Sequence, residues 1–263
     1  MPPARLLGIV NATPDSFSDG GRLGEAAWTH ALRLAEEGAD VLDVGGESTR
    51  PGAAPVPLQE ELDRVLPVIE AIRTRTDVAV SIDTRKPAVA RAAVAAGASM
   101  WNDVSALRHA KDGLAVAGQL GVPVVLMHAQ GEPETMQHAP AYADVANEVL
   151  AFLRGRIDAA RAAGVAEVIA DPGIGFGKSL AHNLALFGVL ERFEALGVPL
   201  MMGASRKRFI GALDRDGAPS GRVGGSLAAA LRARAAGFAW FRVHDVAETR
   251  QALAVWDAVQ GRG

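Results

Sequence analysis

Eight short apolar runs, each followed by a helical stretch, constrain this 263-residue chain more than any other feature. The runs span 5–11, 41–46, 78–83, 100–104, 123–128, 168–171, 199–204 and 239–244. Most are continuously apolar rather than alternating, as in parallel strands covered on both faces. Helical patterns fill 26–38, 58–75, 87–97, 113–121, 143–164, 180–197, 221–237 and 246–260. Several end on a glycine directly before the next strand, at Gly38, Gly97, Gly121, Gly164, Gly197 and Gly237. Glycine supplies the left-handed backbone turn that stops a helix. Strict alternation predicts an α/β fold with a parallel sheet, and eight units predict closure into one (β/α)8 barrel. A doubly wound open sheet is the alternative. It ordinarily carries a glycine-rich first turn of the dinucleotide kind, and 11–21 is not one.

Composition narrows the function. At 49% apolar the chain can fill a large core, and its net charge of −3, with signs interspersed, points to neither nucleic acid nor an acidic membrane surface. No cysteine is present, which excludes disulfides, thiolate metal sites and cysteine nucleophiles. No apolar stretch approaches the ~20 residues of a membrane span, and the first residues lead into a strand rather than a signal peptide. The expectation is a single cytoplasmic domain over residues 1–263, since no linker or low-complexity segment interrupts it.

In such a barrel the carboxyl ends of all the strands converge on one mouth, where active sites are built. The residues closing the runs are therefore candidates: Asn11, the 45–50 turn, Asp83, Asn102, His128, Asp171, Ser205 with Lys207, and Arg242 with His244. The connections leaving the first two strands, 12–24 and 48–57, are long and could act as lids. Asp83, Asn102 and Asp171 end the third, fourth and sixth strands. Carboxylates facing N–H groups, beside an amide that offers donor and acceptor, suit the edge of a flat amino-pyrimidinone heterocycle. The alternative is that each caps the following helix, as Asp83-Thr84 and Asp171-Pro172 could.

Arg242 and His244 lie two apart on a strand, so their side chains point the same way. Cations after the seventh and eighth strands are where barrels commonly hold a phosphate. Lys207, within Ser205-Arg206-Lys207-Arg208, reads as an anion- or carbonyl-binding group; a Schiff-base lysine usually ends a strand among apolar neighbours. Segment 171–179 nearly matches a phosphate-cradling P-loop. Pro172 stands where the first glycine belongs, however, and no Mg-binding carboxylate partner is apparent. His30, His109, His138 and His182 read as surface groups, and His128 lacks the spacing of a zinc site. The Asn11 carbonyl oxygen would suit a hard cation such as Mg²⁺ shared with phosphates.

Together these segments resemble the bacterial dihydropteroate synthases, a pterin-binding TIM-barrel family. The stretch 8–21 is similar to that family's opening signature, and 45–52 resembles its second. The likeness continues in order through Ser81-Ile82-Asp83-Thr84, Asn102-Asp103-Val104, Met127-His128, 171–178, Gly203-Ala204-Ser205-Arg206-Lys207 and Arg242-Val243-His244. The resemblance implies a cytoplasmic homodimer in folate biosynthesis. The implied reaction joins p-aminobenzoate to 6-hydroxymethyl-7,8-dihydropterin diphosphate, giving 7,8-dihydropteroate and diphosphate with Mg²⁺.

The same resemblance assigns roles. Asp83, Asn102, Asp171 and Lys207 would hold the pterin, with Arg242 against its ring. Asn11, Thr49, Arg242 and His244 would hold the diphosphate, Asn11 through the metal. Phe17, Arg50, Pro51, Phe176 and Lys207 would shape the p-aminobenzoate site, and Asp83, Lys207, Arg242 and His244 would carry catalysis. Arg208 departs from the serine many relatives carry near the aminobenzoate, and Ala12 and Ala129 replace bulkier residues. No activated nucleophile is evident, and none is needed if diphosphate departs to leave a pterin methylene cation that the arylamine attacks. Two rivals remain at this stage. A methyltransferase passing a methyl group from a methyl-pterin to a corrinoid would need no diphosphate site; a silent paralogue would only bind pterins.

Overall fold

A computed structural model of the chain describes residues 1–13, 23–49 and 52–261. Its strands are β1 (Arg5–Asn11), β2 (Val41–Gly45), β3 (Ala79–Asp83), β4 (Met100–Asp103), β5 (Val124–Met127), β6 (Val168–Asp171), β7 (Met201–Met202) and β8 (Trp240–Val243). They pair in parallel in the order β6-β5-β4-β3-β2-β1-β8-β7. A parallel bridge between Ala170 and Leu200 joins the two ends of that order and closes the barrel. The Ala170 amide donates to the Pro199 carbonyl at 2.9 Å across the same seam. The open doubly wound sheet is thereby excluded, because an open sheet leaves its edge strands unpaired.

The helices are α1 (Leu23–Glu36), α2 (Leu58–Arg73), α3 (Pro87–Ala95), α4 (Gly113–Leu120), α5 (Val145–Ala162), α6 (Leu180–Gly188), α7 (Arg208–Leu213), α8 (Val223–Ala235) and α9 (Val246–Val259). All six glycines expected to end helices carry positive φ, from 65° at Gly121 and Gly197 to 112° at Gly97. Three local expectations need correction. The 199–204 run yields only a two-residue strand, since Pro199 has no amide to donate and Leu200 makes an isolated bridge. The 180–197 helix divides at Val189, whose φ of −134° leaves α-space, and continues as a 3-10 helix over Leu190–Leu196. Helix α7 is a six-residue turn of helix, too short to show a 3.6-residue repeat in sequence. None of the described helices is long and apolar enough to cross a membrane.

Side-chain parity builds two cores from one sheet. Outward-facing Leu6, Val10, Leu42, Val44, Val80 and Ile82 join the helices in the main core. Inward-facing Leu7, Val41, Met100, Val125, Ile169 and Met201 form a second cluster, with Ala79 and Trp240 packed on it. Each strand thus supplies one side chain to an apolar floor. Burying each large residue of this kind contributes on the order of 1.5–3 kcal/mol. Two positions further along, the same parity turns inward Ile9, Asp43, Ser81, Asn102, Met127, Asp171, Gly203 and Arg242. The polar layer therefore rests directly on the floor.

The outer ring is close-packed. A Cβ on Gly118 of α4 would lie 1.9 Å from the Ala163 carbonyl oxygen at the end of α5. Alanine normally favours a helix over glycine by about 1 kcal/mol. Here the clash is with backbone and should win: Gly118→Ala is expected to destabilise by about 1–3 kcal/mol, measured by denaturant unfolding. A gain in stability would show that α4 and α5 are not held this tightly.

Candidate active site

The site grows from the ends of β2, β3, β4 and β8. Arg242 Nε donates to Asp43 Oδ2, and its Nη2 donates to Asp83 Oδ2, both at 2.6 Å. Asn102 Nδ2 donates to the same Asp43 oxygen at 3.0 Å. One buried carboxylate in the middle of β2 therefore fixes both the guanidinium and the amide that face the mouth. Register agrees: Asn11 pairs with Gly45, Gly45 with Asp83, and Asp83 with Asn102.

Three side-chain oxygens of β2 and β3 here are buried with no hydrogen-bond partner: Asp43 Oδ1, Ser81 Oγ and Asp83 Oδ1. Unsatisfied buried acceptors cost about 1–3 kcal/mol each, and at a barrel mouth they mark where a ligand's donors would be welcome. Burial pushes the Asp83 carboxyl up to about 7, with Arg242 opposing and Asp43 adding to the rise. Burial also acts against the Arg242 charge, yet Asp83 and Asp43 hold it above its ordinary value.

Asp171 ends β6 across the mouth. Its Oδ1 accepts the Gly173 amide at 2.7 Å. A Cβ on Gly203 would lie 3.2 Å from Asp171 Oδ2 and 3.9 Å from Arg242 Cβ, so Asp171 and Arg242 flank one glycine. Burial raises the Asp171 carboxyl, opposed chiefly by Lys207. Lys207 Nζ donates to the Ile174 carbonyl and sits 4.4 Å over the Phe176 ring. Burial brings its ammonium down to about 8.

The capping alternative fails for all three polar strand ends. The helix after β3 begins at Lys86 and the helix after β4 at Asp112, neither with a side-chain cap. Ser179 caps α6, in a reciprocal arrangement with His182. Asp83, Asn102 and Asp171 are thus left to face the mouth.

The remaining candidates fall into place around them. His244 Nδ1 lies 3.0 Å from Ser205 Oγ, which also accepts the His244 amide at 3.1 Å. Arg206 turns away into a bidentate pair with Asp245, so Lys207 alone of that couple serves the mouth. Thr49 is half-buried two residues beyond Glu47. Glu47 accepts the Val56 amide at 3.0 Å and so pins the far end of the second long loop. Burial would raise the Glu47 carboxyl, but Lys86, the Val56 amide and Arg85 outweigh it and hold it low. Arg85 also reaches Glu132 on the loop after β5, at 2.8 Å. Phe17, Arg50 and Pro51 lie outside the described residues.

Comparison with known proteins gives the family. The family profile described as "Pterin binding enzyme" matches residues 7–244. The chain belongs to the pterin-binding enzymes, among the dihydropteroate synthases. It is 48% identical over 257 residues to the dihydropteroate synthase of Escherichia coli (strain K12), covering 96% of this chain and 90% of that protein. A Xanthomonas albilineans dihydropteroate synthase structure with 4-aminobenzoic acid superposes with a TM-score of 0.93 at 55% identity, covering 98% of this chain and 93% of that one. Another from the same organism, in complex with 7,8-dihydropteroate, gives 0.89 at 53% identity, covering 98% and 94%.

For this dihydropteroate synthase family member, sequence reasoning missed two kinds of residue. Asp43 was hidden inside an apolar strand; its signal was parity, since it shares a face with Val41 and Gly45. Arg85 and Glu47 form a buried pair whose partners are 38 residues apart, which no local pattern announces. Among the histidines, His30 is half-buried and within 3.3 Å of the Ile9 carbonyl rather than on the surface. His182 is half-buried too, as the partner of Ser179. His128 is buried against Lys178 rather than exposed.

Lys207 has a pH signature. Its ammonium is present below about 8 and lost as pH rises through that value. Since kcat/KM reports the free enzyme, it should fall above about pH 8. In Lys207→Arg, whose guanidinium stays charged, that limb should vanish whatever rate survives. A persisting limb near the same pH would assign it to another group.

Proposed function

We propose that this mouth carries out dihydropteroate synthesis with Asp83, Asn102, Asp171 and Lys207 around the pterin and Arg242 and His244 toward the departing diphosphate. The observation that carries the assignment is the pair of buried carboxylates across Arg242, each with an oxygen left over. Asp83 keeps Oδ1, and Asp171 keeps Oδ2 once Oδ1 has taken the Gly173 amide. Asn102 spends a donor on Asp43 and retains its carbonyl oxygen. Three acceptors thus converge where a bicyclic heterocycle would present its N–H edge.

The chemistry needs no protein nucleophile. The C–O bond to diphosphate breaks with its electron pair leaving on oxygen, and the methylene cation is delocalised into the dihydropterin ring. The nitrogen lone pair of p-aminobenzoate then forms the C–N bond, and its proton is released. What the chain contributes is orientation, exclusion of water and charge placement. Arg242, preset by Asp43 and Asp83, requires no reorganisation as negative charge builds on the leaving oxygen. Burial raises Asp83 to about 7 while Arg242 opposes that rise, and in its ionised form Asp83, bonded to the ring, would favour the delocalised cation. Phe176 beneath Lys207 would give the arylamine an aromatic wall.

Asn11 offers one amide oxygen at the end of β1, and the described residues contain no group of three or more His, Asp or Glu able to hold a metal. The Asn11 oxygen would suit a Mg²⁺ held also by the oxygens of the diphosphate. When bound, such an ion would neutralise charge on the leaving diphosphate. Thr49 and His244 complete the proposed diphosphate contacts; Arg50, Pro51 and Phe17 remain proposed contacts for the aminobenzoate. A homodimer in the cytoplasm is part of the same proposal, resting on family likeness.

Two variants test it. Asp171→Asn turns an acceptor into a donor facing the ligand's N–H groups, and should lower kcat/KM by roughly 10²-fold or more, about 3 kcal/mol. Near-normal turnover would contradict edge recognition. Arg242→Met should slow diphosphate release in a single turnover by on the order of 10²–10³-fold. A native single-turnover rate would remove Arg242 from the leaving-group role.

A further inference from the structure

The loop between β6 and α6 disposes of its carbonyls in an unusual way. Gly173, Gly175 and Gly177 all have positive φ, and a Cβ on Gly173 would lie 1.9 Å from the His128 carbonyl oxygen. Every carbonyl from 173 to 177 has a donor. Gly173 and Phe176 accept from Lys178 Nζ at 2.9 and 3.1 Å, Ile174 accepts from Lys207 Nζ, Gly175 accepts from Gln137 Nε2 at 2.7 Å, and Gly177 accepts from the Tyr142 hydroxyl at 2.7 Å. Lys178 is 3% exposed. Its Nζ also lies 2.8 Å from His128 Nδ1 and 3.4 Å from the His128 carbonyl.

A buried ammonium without a carboxylate is costly, and among the described residues no ion pair holds Lys178. Burial and then Lys207 push the Lys178 amine well below its ordinary value, so what the turn uses is the Nζ donor rather than a fixed charge. Three carbonyls converge on it, and His128 stays neutral beside it, since burial and then Lys178 both depress the imidazole. We propose that Lys178 is a positioning residue for the transfer reaction: it folds the 173–177 loop so that Phe176 and the Ile174 carbonyl hold Lys207 in place at the mouth. The inference rests on the function proposed above. The charged groups facing this assembly are Asp171 from β6, Arg242 from β8, Arg108 from the loop after β4, which acts on His128, and Lys178 and Lys207 themselves. From the loop after β5, Gln137 holds the Gly175 carbonyl and Tyr142 the Gly177 carbonyl. Gly173 and Phe176 are joined by Lys178 Nζ and by the Phe176 amide, which donates to the Gly173 carbonyl at 3.1 Å, so among the described residues Lys178 is the side-chain donor that bridges the two halves of the turn.

The test is Lys178→Met, with steady-state kinetics for each substrate and a pH profile. Without the Nζ donor the loop relaxes, Lys207 gains water, and Phe176 no longer backs the arylamine. KM for 4-aminobenzoate should rise about tenfold or more while KM for the pterin diphosphate stays within about threefold, because Asp83 and Asn102 are untouched. The alkaline limb of kcat/KM should move up by about one pH unit, as desolvation of Lys207 is relieved. A uniform fall in rate, with both KM values and the limb unchanged, would mean a merely structural role and overturn the proposal. If Lys178→Met does not fold, His128→Asn removes only the imidazole contact. It should shift the same KM and the same limb in the same direction by less; no shift in either would also overturn it. A wild-type enzyme without an alkaline limb would count against the part given to Lys207, and the split between the two KM values would then decide for or against Lys178 alone.

Discussion

The contact on which the mouth depends is the Arg242 guanidinium held between Asp43 and Asp83, both bonds at 2.6 Å. Three charged groups inside a barrel would be prohibitive if any stood alone, since a buried unpaired ion costs several kcal/mol. Together they make an anion-rich cluster carrying one cation, and Asn102 is drawn into it through Asp43. This arrangement is costly as a stabilising device; apolar residues of similar volume would often be at least as stable. Its retention makes sense when the cluster is seen as a preset electrostatic surface. The donors and acceptors are already aimed before any ligand arrives, which is the condition under which fixed dipoles lower a barrier.

The apolar floor makes that cluster possible. Eight side chains, one from each strand, fill the barrel below it. With water kept from beneath, the carboxylates can be reached only from the mouth. The same burial raises Asp83 and Asp171 and lowers Lys207. These shifts run toward neutrality, so acid and base groups there come nearer to each other in proton affinity than in water. The pattern is that of a working site and not of a surface charge network.

How much of this was legible in sequence depends on the distance over which each feature is encoded. The strand–helix alternation, the terminating glycines and the polar strand ends are local, and they gave the barrel and the positions of Asp83, Asn102, Asp171, Arg242 and His244. Parity along β2 could have given Asp43, because a carboxylate between Val41 and Gly45 on one face must point into the lumen. The register between β2 and β8 could not be read, and without it Asp43 and Arg242, 199 residues apart, have no reason to meet. Arg206 illustrates the opposite error of proximity: it neighbours Lys207 in sequence, yet its φ of 57° swings it out to Asp245.

Segment 171–179 shows why spacing of glycines is not by itself a phosphate site. In a P-loop the glycines let successive amides point inward at an anion, so the loop is a nest of donors. Here the left-handed glycines turn successive carbonyls toward cations and donors, and the lysine that would meet a phosphate lies inside the turn, 2.9 Å from the Gly173 carbonyl. The polarity of the loop is inverted. A turn lined with carbonyl oxygens repels phosphate and gathers amino groups, which places Lys207 beside Asp171 and over the aromatic ring of Phe176. On the function proposed above, the diphosphate would be received on the other arc of the mouth, toward β8, β1 and the loop after β2, where Arg242, His244, Asn11 and Thr49 stand. One glycine-rich turn, by the direction of its backbone dipoles, would thus favour the rings over the leaving group on its own side of the mouth.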